Sequence, residues 1–190
     1  MEEPPLPRVD TTPEIPAETA GPTSRPETLQ DTLVLEGMPE PVTLRLYRSP
    51  PGFPLAFGTY LPADLVAEPA PSDDAVHFYA NFGGQRNDAA RVEMKVYPEG
   101  TTEESARNEL ASTTGGSLVA AGERRYPWTL AEYAAPSGAV VSRGMLGRHD
   151  GRFFHLLVRY PAEFGDGFAP RAAMVMKHWQ WEDGSGGLGS

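Results

Sequence analysis

The chain has 190 residues, a formal net charge of −10 and no cysteine. The missing thiols exclude disulfides, cysteine catalysis, Cys-based zinc sites and iron–sulfur clusters. The acidic balance repels phosphate backbones and anionic lipid surfaces, so neither nucleic acid nor direct membrane insertion of the folded part is expected.

A body of this length buries a sizeable core without staples, and one domain is expected. No stretch is long and apolar enough to make a membrane-spanning helix. The first 32 residues carry Pro4, Pro5, Pro7, Pro13, Pro16, Pro22 and Pro26 among Glu, Thr and Ala. Such a segment cannot repay its ordering entropy, so residues 1–32 read as a disordered proline-rich leader or tether. The folded body is expected over residues 33–182. Residues 183–190 form a Gly/Ser-rich tail that reads as an appended linker and is left out of the fold.

Val42 to Tyr47 alternate apolar and polar, which predicts a half-buried strand, and Ser49-Pro50-Pro51-Gly52 breaks it. Leu55, Phe57, Thr59 and Leu61 share a face of a second strand. A proline-rich loop follows over 69–74. Val76, Phe78, Ala80 and Phe82 line a third strand. Gly83-Gly84 and Asn87-Asp88 supply a turn, and Val92, Met94 and Val96 alternate with Arg91, Glu93, Lys95 and Tyr97 on a fourth.

Thr101-Thr102-Glu103-Glu104 reads as a capping box, a threonine followed three residues on by a glutamate, opening a helix to about Thr113. Ala106 and Leu110 face inward together. Gly115-Gly116 permits the positive φ that ends it. Strands are then expected over Leu118–Arg124 and Thr129–Ala134, flanking Tyr126-Pro127-Trp128. Val140–Leu146 and Arg152–Tyr160 form a hairpin about Asp150-Gly151. Apolar residues on both faces of the last strand predict a central position. Pro170 suits the first turn of a terminal helix with Ala172, Ala173, Val175, Met176 and Trp179 on its apolar side. Trp181, two residues beyond Trp179 on that helix, points elsewhere.

The connections are too short for parallel crossovers. The fold class is therefore α+β, a mainly antiparallel β-sheet covered by helices. This layout resembles the PsbP-like fold family, including its bacterial lipoprotein-type members. The resemblance rests on the strand with Phe57-Gly58-Thr59-Tyr60-Leu61-Pro62, the helix opened by Thr101-Thr102-Glu103-Glu104-Ser105-Ala106, the Asp150-Gly151 hairpin and the end Trp179-Gln180-Trp181. It implies an α/β/α sandwich and a non-catalytic accessory or binding role, and it transfers no functional residue.

No catalytic set emerges. His77, His149, His155 and His178 lack metal-ligand spacing, so no metal and no cofactor are expected, and His149 reads as a solvated turn residue. Gly-x-Ser-x-Gly is absent. Ser142 lies on a strand beside Arg143, which reads as an ion-pair partner or rim contact. Asp73-Asp74 lacks calcium-loop spacing, and Glu103-Glu104 suits a helix N-terminus.

The candidate binding residues are Arg124, Arg125, Tyr126, Trp128 and Arg143. Two cations and two aromatics at one turn suit a recognition surface. The competing reading is a strand connection with Trp128 packed under the terminal helix. The expected function is a non-enzymatic, bacterial envelope-associated binding or accessory protein, acting on a protein partner or a small ligand. Two alternatives are a small-ligand protein with a pocket between sheet and helix, and a hydrolase assembled from distant strands. The expected location is extracytoplasmic, tethered by the leader to a lipid anchor ahead of it, with the cytoplasm as alternative.

Overall fold

The structure is a computed structural model that describes residues 25–188. The expectation for residues 1–24 lies outside the described residues. The elements run β1 (Thr28–Leu35), β2 (Met38–Arg48), β3 (Phe57–Pro62), β4 (Leu65–Pro69), β5 (Ala75–Phe82), β6 (Gln85–Val96), α1 (Glu103–Thr114), β7 (Ser117–Leu118), β8 (Ala131–Ala134), β9 (Val140–His149), β10 (Arg152–Pro161), α2 (Gly165–Lys177) and β11 (Gln180–Trp181).

The strands divide into two sheets, ordered β1-β2-β3-β11 and β4-β5-β6-β10-β9-β8-β7. Every pairing is antiparallel. The class is therefore α+β, mostly antiparallel sheet with two helices.

β10 sits at the middle of the larger sheet, as its two apolar faces require. Phe154, Leu156 and Val158 join Phe57 and Leu61 of β3 and Phe168, Ala172, Val175 and Met176 of α2 in the main core. Phe153 joins Tyr97, Tyr133, Leu146 and the α1 residues Ala106 and Leu110 in a second cluster. Gly144 permits that approach: a Cβ there would lie 2.3 Å from Thr114 Oγ1 and 2.6 Å from Leu110 Cδ1. Leu33, Leu44, Tyr60 and Met174 form a third cluster between the smaller sheet and α2.

Three two-residue hairpin turns rest on positive φ at each turn position, the Gly83-Gly84 turn at 64° and 80° among them. Asp150 and Gly151 stand at 43° and 75°, and Glu36 and Gly37 at 50° and 79°. This turn twist matches that of the flanking strands.

Several expectations are corrected. The fold starts before residue 33: β1 opens at Thr28, and Arg25 donates to the His178 carbonyl at 2.8 Å. Residues 183–188 of the tail are part of the fold, since Leu188 is buried in the main core and Trp181 N–H bonds Gly186 O at 2.9 Å. Asn87-Asp88 is not the turn but lies in β6, where the pairing jumps from Tyr79↔Arg91 to Ala80↔Asn87. The inserted residues form a bulge, and the tight turn belongs to Gly83-Gly84 alone.

The N-cap of α1 is Thr102, whose Oγ1 accepts from Ser105 N–H, while Thr101 Oγ1 donates to Pro98 O. The N-cap is thus one residue later than expected, with Ser105 rather than a glutamate three residues on, so Glu104 is not a reciprocal partner. Only Ser117–Leu118 and Ala131–Ala134 of the two strands expected around Tyr126 are extended; Ala121–Glu123 is a single tight 3-10 turn. Pro170 lies inside α2 rather than in its first turn. Trp179 and Trp181 are beyond the helix end, and both are buried. Trp179 stacks on Phe57 with ring centres 3.9 Å apart.

Candidate functional site: a recess beside α2

The 124–128 turn and the start of α2 flank a recess. Arg124 Nη1 donates to Thr129 O at 2.9 Å and Thr129 Oγ1 donates to Tyr126 O at 2.8 Å, which closes the turn. Arg125 N–H donates to Glu132 Oε2 at 2.9 Å. Glu132 is fully buried, and Arg143 from β9 donates to its other oxygen. One carboxylate on β8 therefore fixes both the backbone of the turn and the guanidinium beside it. A buried charge tolerates its position only when paired and hydrogen-bonded in this way.

Trp128 packs against the main core, which includes α2 residues, and lies against Phe154 of β10, with centroids 5.7 Å apart and planes 20° from parallel. The close approach uses Gly147, where a Cβ would meet Phe154 Cζ at 2.4 Å and Trp128 Cζ3 at 2.9 Å. Tyr126 follows at 6.0 Å from Trp128. Burial pushes the Tyr126 hydroxyl up from its ordinary range.

Between this turn, β9–β10 and α2 lies a recess of about 50 Å³. Arg125, Tyr126, Arg143 and Tyr160 give its polar rim, and Met145 and Met176 its apolar floor. Arg125 and Ala169 also line an open groove of about 520 Å³, whose far wall is the β1–β2 hairpin tip at Val34, Glu36 and Gly37. The structure thus brings Arg125, Tyr126 and Arg143 together. Arg124 and Trp128 support them from the turn and the core, and neither lines the recess. The approach of the hairpin tip to the start of α2 went unnoticed in the sequence because nothing local ties residues 34–37 to residues 165–170.

A second polar group lies on the α1 side of the large sheet. His77 Nε2 donates to Glu93 Oε2 at 3.0 Å, and His155 Nε2 to Glu93 Oε1 at 3.1 Å. An ionised carboxylate only accepts, so both ring nitrogens facing it are donors. His155 Nδ1 lies 2.9 Å from Tyr97 Oη. Burial alone would push the Glu93 carboxyl up, but the hydrogen bonds from His155 and His77 outweigh it and hold it well below the usual range. The cross-strand register His77↔Glu93 placed this pair, which spacing along the chain conceals. Among the described residues no group of three or more His, Asp or Glu is arranged to hold a metal ion.

His149, expected to be solvated, is stacked on Trp181 at 4.1 Å with planes 7° apart, and its Nε2 lies 2.9 Å from Asp183 Oδ2. Ser142 is buried on β9 and its hydroxyl has no partner among the described residues.

No protein-family model matches the chain, and no curated protein matches it. Among solved structures, a Bacteroides thetaiotaomicron protein is 15% identical with a TM-score of 0.44. The match covers 72% of this chain and 48% of that one, so the chain spans about half the length of this neighbour.

Proposed function

We propose that this chain is a non-catalytic binding module of the bacterial envelope, with a PsbP-like sandwich arrangement, that takes a protein partner along the groove beside α2. The observation that carries this reading is the continuity between recess and groove. Arg125 and Ala169 belong to both, and apolar floor and polar rim lie together at the inner end. Such a site suits a partner strand or loop lying in the groove with one small apolar side chain seated in the recess.

The shape of the site favours this over the small-ligand reading. Sites that enclose small molecules run to roughly 300–1,000 Å³; here only the open groove, about 520 Å³, reaches that size, and the recess beside it is about 50 Å³. The hydrolase reading loses support from Glu93, the most perturbed carboxylate, because both its oxygens are already taken by His77 and His155. The envelope location rests on the proline-rich composition of the leader and on the layout resemblance.

The test is capture from envelope extract followed by titration of the recovered protein against purified chain. Ala169→Arg fills the groove from a half-exposed helix position. The expected result is a partner whose binding is lost with Ala169→Arg and weakened with Tyr126→Ala. A partner bound equally by wild type and Ala169→Arg overturns the proposed surface.

A further inference from the structure

β1 and β2 are open on opposite edges of one ribbon, and the two edges differ. β2 pairs with β3 only from Leu44 to Arg48, so residues 38–43 have no second neighbour among the described residues. The hairpin closes on the pair Leu35↔Met38 across a two-residue turn, which makes that pair hydrogen-bonded. Alternation then turns positions 39, 41 and 43 of β2 outward. Two of these are Pro39 and Pro41, which have no N–H to offer. The outer edge of β2 is thereby closed to strand addition.

Among the described residues β1 has no such guard. The same alternation turns the backbone N–H and C=O of Thr28, Gln30, Thr32 and Val34 outward, and β1 ends the sheet order. Leu46 N–H bonding Glu27 O at 2.9 Å confirms the parity, because it places odd-numbered residues on the β2 side. The even-numbered side chains are Thr, Gln, Thr and Val, all exposed and uncharged. Asp31 is the only charged residue of the strand, and Lys177 and His178 each meet it at 2.7 Å. On a chain of net charge −10 the uncharged outward side chains of this edge add no repulsion of their own to the approach of a second copy.

We propose that β1 is a self-association edge, on which a second copy of this chain adds its own β1 antiparallel about a twofold axis. The two four-stranded sheets then become one continuous sheet. An axis through Thr32 pairs Gln30 with Val34 of the second copy and sets Asp31 opposite Leu33. An axis through Asp31 would set two aspartates face to face, which like-charge repulsion disfavours. In the Thr32-centred pairing, Thr32 N–H exchanges its 2.7 Å bond to Asp31 Oδ1 for the facing carbonyl. The proposal shares Val34 with the groove, but its central residue Thr32 does not line it, so the Thr32 variants leave the groove lining intact.

The test is sedimentation equilibrium of the full chain, with Thr32→Pro and Thr32→Lys as variants. Thr32→Pro removes an outward donor and Thr32→Lys adds a charge at the axis. Each is expected to raise the dimer dissociation constant roughly tenfold or more, with the circular dichroism spectrum unchanged. Added salt is expected to strengthen the dimer by screening the net charge. Because the chain has no cysteine, Thr32→Cys alone is expected to form a disulfide-linked dimer on oxidation, and Glu40→Cys on β2 is expected not to. A wild-type chain that stays monomeric at its highest soluble concentration overturns the proposal. So does a dimer that survives both Thr32 variants.

Discussion

Arg143 holds Glu132, a carboxylate with no exposure to solvent, and Arg125 N–H takes the other oxygen of the same group. Removing the cation leaves a buried charge with one backbone donor. Arg143→Ala is therefore expected to cost about 3 kcal/mol or more. Glu132→Gln keeps an acceptor for Arg125 and is expected to cost less. The double variant Arg143→Ala/Glu132→Gln should fall well short of the sum, because the pair is coupled. Urea unfolding of the four proteins measures this directly, and additive losses would show that the pair is not a unit.

Gly147 lets two aromatic rings close on β9. A methyl group there would meet Phe154 at 2.4 Å and Trp128 at 2.9 Å. Packed cores pay about 1–3 kcal/mol for one added group of this kind. Gly147→Ala is expected to lose that much and to change tryptophan emission as Trp128 leaves Phe154. Glycine 122, where an added Cβ meets nothing within 4 Å, is the control: Gly122→Ala should leave emission unchanged.

The strands at the centre of the large sheet were readable because burial imposes period two on them. Val92, Met94 and Val96 alternate cleanly, and β10 shows apolar residues on both faces. The Asp150-Gly151 turn announced itself for the same local reason. The first hairpin did not, because Pro39 and Pro41 look like strand breakers unless the strand has an open edge for them to face. Glu36 at positive φ is likewise no standard turn signal. Pro170 marked α2 correctly and its start wrongly, since a single 3-10 turn at Ala162–Phe164 leads straight into the helix. Of the five candidate site residues, three meet at the recess. The groove wall at Val34–Gly37 comes from a contact far along the chain, which no local pattern encodes.

Asp31 ties β1 to the end of α2. Lys177, burial, Thr32 N–H and His178 all act on it, and the Lys177 hydrogen bond does most to bring its carboxyl down to about 2. A carboxyl depressed in the folded state contributes stability above its unfolded pKa, near 4, and loses it as pH falls through the folded value. Lys177 is more than half exposed, so solvent screening limits the pair to about 1 kcal/mol. Asp31→Asn should cost about that much at pH 7, and the difference from wild type should vanish between about pH 4 and pH 2. Chemical unfolding at each pH reads it. A penalty that persists at pH 2 would mean the hydrogen bonds, not the charge, carry the contribution.

Glu93 offers the stronger case, because its two partners come from β5 and β10 on either side of β6. His155 is 1% exposed and His77 is near the surface. Losing His155 should therefore cost more than losing His77, since it leaves both a cavity and an under-paired carboxylate. We expect His155→Ala to lose about 3 kcal/mol or more and His77→Ala about 1 kcal/mol. Glu93→Gln should be destabilising at neutral pH. Its folded carboxyl is depressed, so the penalty should be complete above about pH 5 and shrink as pH falls below about 4. Thermal melts of the three variants across that range measure both effects. Equal losses for the two histidines would show that burial does not set their ranking. A Glu93→Gln penalty independent of pH would show that the ionised carboxylate is not what the two rings hold.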